Sequence, residues 1–158
     1  MLVITVLNHG DISIAKQILD VQLPAYRVEA DIIVFYEIPP LRDTAKTIAS
    51  SEEHFIGYRV GERLAGFISY ELPEKDGDVE SVDICRMVVH PDFFRRGIAK
   101  QLLAHLLDSA AAGKRVTVST GAKNEPAKSL YRSFGFVEKK EIEIAPDVFL
   151  TVFERNLE

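Results

Sequence analysis

The sequence is poor in sulfur and has no tryptophan: one cysteine and two methionines in 158 residues. With Cys85 alone, no disulfide can form within the chain and no cysteine metal cluster can be built, which predicts a reducing compartment and no metal. A long hydrophobic run is also missing. The opening "MLVITVLNHGD" has a short apolar stretch with no basic lead-in and no small-residue cleavage site, and nothing after it approaches a membrane span, so the expectation is a cytoplasmic protein without membrane attachment. Positive charge is not in excess either. The net charge of −5 argues against nucleic acid, whose phosphates call for a basic face, and suits a cationic partner such as an amine. Repeats and low-complexity tracts are absent, and the length suits one domain over residues 1–158.

What is present alternates between two periodicities. Residues 2–7, "LVITVL", read as a strand, after which Asp11 caps a helix whose apolar residues run from Ile14 to Val21 until Pro24 breaks or restarts it. A second helical pattern runs through Val28, Ile32 and Phe35 or Tyr36, and Pro40 opens a short helix carrying Leu41, Ala45 and Ile48. "HFIGYRVGERLAGFISYEL" reads as an antiparallel hairpin turning at Val60 to Arg63, and residues 73–81 as a loop. The run 82–89, "VDICRMVV", is apolar on both faces, as a central strand should be. A broad helical stripe from Ile98 to Ala110 ends near Gly113, a short strand occupies 115–120, and a helix capped by Asn124 ends at Gly135. Two strands, "FVEKKEIEI" and "VFLTVFERN", close the chain. The order predicts an α/β (α+β) fold with a mixed sheet and helices on its faces.

The junction "VVHPDFFRRGIAKQLL" joins the central strand to the strongest helix. The first N–H groups of a helix have no internal partner and the macrodipole adds positive character there, so Arg95 to Lys100 could hold a diphosphate, with Gly97 free to adopt positive φ and Ala99 keeping the next turn small. The arginines could equally be solvated. About thirty residues on stands "NEPAKSLYRSFGFVE". Together the two stretches resemble the GNAT superfamily of acyl-CoA-dependent N-acyltransferases: a Val-x-Pro-like strand end, then Gln/Arg-x-x-Gly-x-Gly/Ala opening a helix, then Asn-x-x-Ala-x-x-Leu-Tyr-x-x-x-Gly-Phe. Phe94 departs from the pattern, standing where Gln or Arg is usual.

The resemblance implies the GNAT fold, a mostly antiparallel sheet of about six to seven strands with helices on both faces, and acetyl-CoA as acyl donor. By it, Met87, Val88 and Val89 offer backbone groups to the pantetheine arm, Arg95, Arg96, Gly97, Ile98, Ala99 and Lys100 hold the diphosphate, and Asn124 and Tyr131 complete the donor site. Tyr131 falls at the family's general-acid position, although a tyrosine on the inner face of a helix can also be there simply to pack. Asp83, six residues before Val89, is the candidate base, with Glu80 as substitute. Tyr26, Glu29 and Tyr36 border the acceptor cleft. Cys85 shares a strand face with Asp83 and Met87, which leaves an acyl-cysteine route to be weighed against a small core residue. The function implied is an N-acetyltransferase acting on a small-molecule amine or on an amine of a peptide or protein. The alternative is a non-catalytic acyl-CoA-binding or sensing module on the same fold. Exposed final strands would make a homodimer by sheet pairing easy.

Overall fold

The computed structural model describes residues 3–156 apart from Asp76 and Asp78. Leu2, the first residue of the expected opening strand, and those two aspartates of the expected 73–81 loop lie outside the described residues. The elements are β1 (Ile4–Leu7), α1 (Ile12–Ile33), a 3-10 turn (Pro39–Arg42), α2 (Ala45–Ala49), β2 (His54–Val60), β3 (Arg63–Glu71) and β4 (Ser81–Val89), followed by a second 3-10 turn (Pro91–Phe93), α3 (Ile98–Asp108), β5 (Arg115–Gly121), α4 (Glu125–Ser133), β6 (Val137–Ala145) and β7 (Val148–Arg155).

The seven strands form one open sheet in the order β1-β2-β3-β4-β5-β7-β6, antiparallel throughout except where β4 meets β5. Alternation along the strands divides the core in two. Phe55, Leu64, Phe67 and Val88 face α1 and α2, while Ile56, Ile68, Val82, Ile84, Val116 and Val118 face α3 and α4. This is the expected mixed, mostly antiparallel sheet between helical layers.

Three expectations need correcting. Pro24 neither breaks nor restarts α1, which runs unbroken for 22 residues. An internal proline costs about 3 kcal/mol, but Ile18, Val21, Ala25, Tyr26, Ala30 and Ile33 are all buried in one cluster, so tertiary packing on both sides outweighs it. The short helix expected from Pro40 is two pieces, because Thr44 caps α2 anew: its hydroxyl accepts from Thr47 N–H at 3.2 Å, and the Thr47 hydroxyl accepts from Thr44 N–H at 2.9 Å. α3 ends at Asp108, and turns carry the chain to Gly113.

The backbone is irregular at two points that decide where side chains face. Ser69 pairs with Arg86 and Tyr70 with Ile84, so Cys85 is the extra residue of a β-bulge in β4. Before the bulge Val82 and Ile84 face α3; after it Met87 and Val89 do, and Arg86 and Val88 turn to α1. Asp83, Cys85 and Met87 therefore do not share one face. At the end of α1, Val34 takes a left-handed φ of 54°, uncommon for a β-branched residue, and the Phe35 N–H closes the helix on the Ala30 carbonyl at 3.0 Å.

Candidate functional site

The parallel pairing of β4 with β5 stops early. Four residues pair, from Ser81 with Arg115 to Ile84 with Val118, and beyond them no ladder joins Cys85–Val89 to Ser119–Gly121. The gap opens into a cleft of about 1120 Å³ lined by both strands, α1, the start of α3 and the inner face of α4. Unpaired strand edges inside a cleft can accept an extended ligand as an added strand.

One end of the cleft is the start of α3. Gly97 has φ 72°, the first helical bond runs from Gln101 N–H to the Gly97 carbonyl at 3.0 Å, and no side chain caps α3. The N–H groups of Ile98, Ala99 and Lys100 thus have no partner within the helix. A Cβ on Gly97 would meet nothing closer than the Gln101 amide at 4.0 Å, so the space before it is open. Arg95, itself at φ 65°, and Lys100 line this end. Arg96 lies outside the lining, its guanidinium 5.1 Å from the centre of the Phe93 ring.

The opposite side belongs to α1 and α4. Tyr131 packs its ring against Phe136 and Phe153, yet among the described residues its hydroxyl has no hydrogen-bond partner. Burial, helped by the charge of Glu29, holds the phenol well above its usual range. Tyr26 is raised in the same way, first by burial and then by Glu29. Glu29 projects from α1 into the cleft; Asn124, which caps α4 by accepting from Ala127 N–H at 3.3 Å, donates to one Glu29 oxygen at 2.8 Å. Burial raises the Glu29 carboxyl and the Asn124 bond only partly offsets it. No described lysine, arginine or histidine pairs with it. Gly121 matters here through its missing side chain, since a Cβ would come within 2.6 Å of Ile33. Tyr36 is 62% exposed and does not line the cleft.

Asp83 lines the cleft near its apex, where it accepts from the Thr117 hydroxyl at 2.7 Å. Cys85 is a poor nucleophile: partial burial, with the carboxylates of Glu53, Asp83 and Glu71, pushes its thiol up to about 12. Farther along the α1 face, Arg86 grips Glu53 with two bonds of 3.0 and 2.9 Å and reaches Asp43 at 2.8 Å and Gln22 at 2.9 Å. Gln22, fully buried, donates to Asp43 and to the Pro40 carbonyl, and Ser69 donates to Glu53 at 2.6 Å. Glu53, Glu71 and Cys85 bring potential metal ligands within 4.8 Å of one another, but Glu53 has both oxygens committed to Arg86.

Of the residues expected from sequence, the structure brings Tyr26, Glu29, Asp83, Met87, Val88, Val89, Arg95, Gly97, Ile98, Ala99, Lys100, Asn124 and Tyr131 to one cleft, and leaves Arg96 and Tyr36 outside it. Sequence reasoning missed Arg86, Gly121 and the apolar hairpin residues Ile144 and Leu150. Only Gly121, ending a β-rich run, carried a local signal, and a glycine there equally reads as loop.

The profile of the Acetyltransferase (GNAT) family matches residues 15–136. The UPF0157 protein YqkA of Bacillus subtilis is 42% identical over 93% of this chain, which spans 41% of YqkA's length. N-alpha-acetyltransferase RimI of Mycobacterium tuberculosis is 31% identical over 69% of this chain and 68% of its own. Among solved structures, YncA from Salmonella typhimurium, a putative acetyltransferase with its cofactor acetyl-CoA, superposes with a TM-score of 0.71 at 17% identity, covering 94% of this chain and 91% of that one.

Proposed function

The chain belongs to the GNAT acetyltransferase family, and from that premise we propose that it moves the acetyl group of acetyl-CoA to a primary amine by direct attack, both substrates being bound together. The observation that carries this reading is the parting of β4 from β5 next to an uncapped helix start. Acetyl-CoA suits both features. Its diphosphate matches the free N–H groups at Ile98–Lys100 with Arg95 and Lys100 beside them, and its amide-bearing arm matches the open edge at Met87–Val89. The solved structure of YncA with acetyl-CoA supports the same donor. An amine of a peptide or protein, or of a small molecule, is the acceptor; the activity named for the mycobacterial relative supports an amine.

Amide formation needs a neutral amine, donors for the developing oxyanion and a proton for the departing thiolate. Tyr131 supplies the last. Burial keeps it protonated at neutral pH, as an acid must be, and the same burial raises a thiolate leaving into the same cleft. Backbone groups at the open edge of β4 face the acyl oxygen. Glu29 and Asp83 are the two carboxylates of the cleft that can take the ammonium proton, Asp83 being the candidate its offset from Val89 first marks.

The test is release of CoA thiol from acetyl-CoA with a panel of amines. Tyr131→Phe keeps the packed ring and removes a hydroxyl that bonds nothing, so kcat should fall roughly 100-fold while the melting temperature hardly moves. Normal turnover in the variant would reduce Tyr131 to packing. Tight acetyl-CoA binding by the wild-type protein with no turnover on any amine would instead mark a binding module.

A further inference from the structure

Glu29 is half-buried in the cleft, and among the described residues no cation pairs with it. Asn124 occupies one carboxylate oxygen, and among the described residues nothing donates to the other. Tyr26 from α1 and Tyr131 from α4 lie near enough to feel its charge, and Asp83 and Arg86 of β4 line the same cleft. Arg86 cannot compensate it, because Glu53 and Asp43 already hold that guanidinium. A desolvated carboxylate in this position is stabilised by a proton or by a cationic ligand, and the upward shift of its carboxyl agrees.

The wall beside Glu29 is apolar. Ile33, one turn farther along α1, lies on Gly121; Gly121 pairs with Leu150; and Leu150 pairs across the last hairpin with Ile142, two residues from Ile144. Ile32, Phe35, Ile144 and Leu150 all line the cleft, Ile32 and Ile144 being 39% and 44% exposed without a ligand. Phe35 follows Val34, whose backbone is left-handed.

We propose that Glu29 receives the acceptor's ammonium and takes its proton, and that the acceptor is a primary amine with an apolar group close to the nitrogen and no neighbouring carboxylate. This rests on the acetyl-transfer reading. The ammonium gives one proton to Glu29, the freed nitrogen pair forms the bond to the acyl carbon, and the carbon–sulfur bond breaks with its electrons on sulfur. Tyr131 protonates that sulfur, the second nitrogen proton restores Tyr131, and the proton on Glu29 leaves to water. Asp83, held by Thr117, positions the apex where the strands part. A carboxylate next to the amine would meet the like charge of Glu29, which disfavours free amino acids.

Glu29→Gln removes the charge and keeps an oxygen for the Asn124 bond. Wild-type protein and variant are assayed by thiol release with 2-phenylethylamine, a peptide with free N-terminal leucine, an N-terminally blocked peptide with one internal lysine, and free leucine. In the wild type the first two should exceed free leucine by at least about tenfold in kcat/KM, and whichever of them leads identifies the source of the amine. In Glu29→Gln, kcat/KM at neutral pH should fall roughly 100-fold and recover partly as pH rises and more amine arrives neutral, with acetyl-CoA affinity unchanged. Equal turnover by both proteins, or a variant profile scaled down in parallel at every pH, would overturn the role of Glu29 and leave acetyl transfer standing. Preference for free leucine or the lysine peptide would overturn the acceptor class. No turnover of any acceptor by wild type that binds acetyl-CoA would overturn the transfer reading and this inference together.

Discussion

Two polar regions meet α1, at Gln22 and at Glu29, residues two turns apart on one helix. Around Arg86 the charges are answered: one guanidinium, two carboxylates, a buried amide and a serine close on one another. In the cleft several polar groups have no partner among the described residues: the N–H groups opening α3, the Tyr131 hydroxyl and one oxygen of Glu29. Polar groups sealed from water are normally paired, as the first set is, whereas the second set opens onto the cleft. The first region holds α1, the loop before α2, the turn before β2, β3 and β4 together; the second lies open in the cleft.

Breaking the answered region should have the largest effect, and it should fall on stability. Arg86→Met leaves Glu53 and Asp43, with side chains only 12% and 19% exposed, facing each other without a cation. The expected loss is about 3 kcal/mol, read as a lower urea midpoint, with part recovered in Arg86→Met/Glu53→Gln. A single variant as stable as wild type would mean that the cluster is no keystone. The unanswered region should respond in the opposite way, losing binding and not stability. Gly97→Asn suits this, since asparagine tolerates the left-handed φ of 72° and the new Cβ meets only open space in the free protein. Acetyl-CoA affinity should drop about tenfold, or about 1.4 kcal/mol, by calorimetry; unchanged affinity would place the diphosphate elsewhere.

The same division separates what was legible in the sequence from what was not. Features that depend on neighbours along the chain were readable: the Asp11 and Asn124 caps, the Gly97 helix start, the glycine turn at Gly61 and the stripe of α3 all stand where the pattern put them. Features that depend on partners far away were not. Pro24 looked like a break because its local cost is plain and the continuous burial offsetting it is tertiary. The bulge at Cys85 was hidden because apolar residues on both faces blur the alternation that would have betrayed it. Arg86 draws partners 33, 43 and 64 residues away, and Ile144 and Leu150 reach the cleft only through the pairing of β7 with β5. The end of the cleft at Met87–Lys100 lies on one strand–loop–helix segment, so its residues stand together in the sequence; the end at Glu29 and Leu150 is assembled from separate elements.

The smallest effect is the sharpest test of the contrast, because its sign differs between the two regions. Burial raises the Glu29 carboxyl in the folded protein above its ordinary value, near 4.3 when unfolded. A carboxyl raised by folding contributes stability that is fully present below the unfolded pKa and is lost as pH rises through the folded one. Above that raised value the wild-type protein carries an ionised, partly desolvated carboxylate that folding disfavours. Glu29→Gln cannot ionise and retains the Asn124 bond. Its melting temperature should exceed that of wild type at pH 7–8, and the gap should close as pH falls toward the ordinary carboxyl range. The same substitution that lowers turnover would then raise stability, the signature of a group kept for its chemistry and not for the fold. A variant less stable than wild type across the whole range would place Glu29 with Arg86, as a joint between α1 and α4.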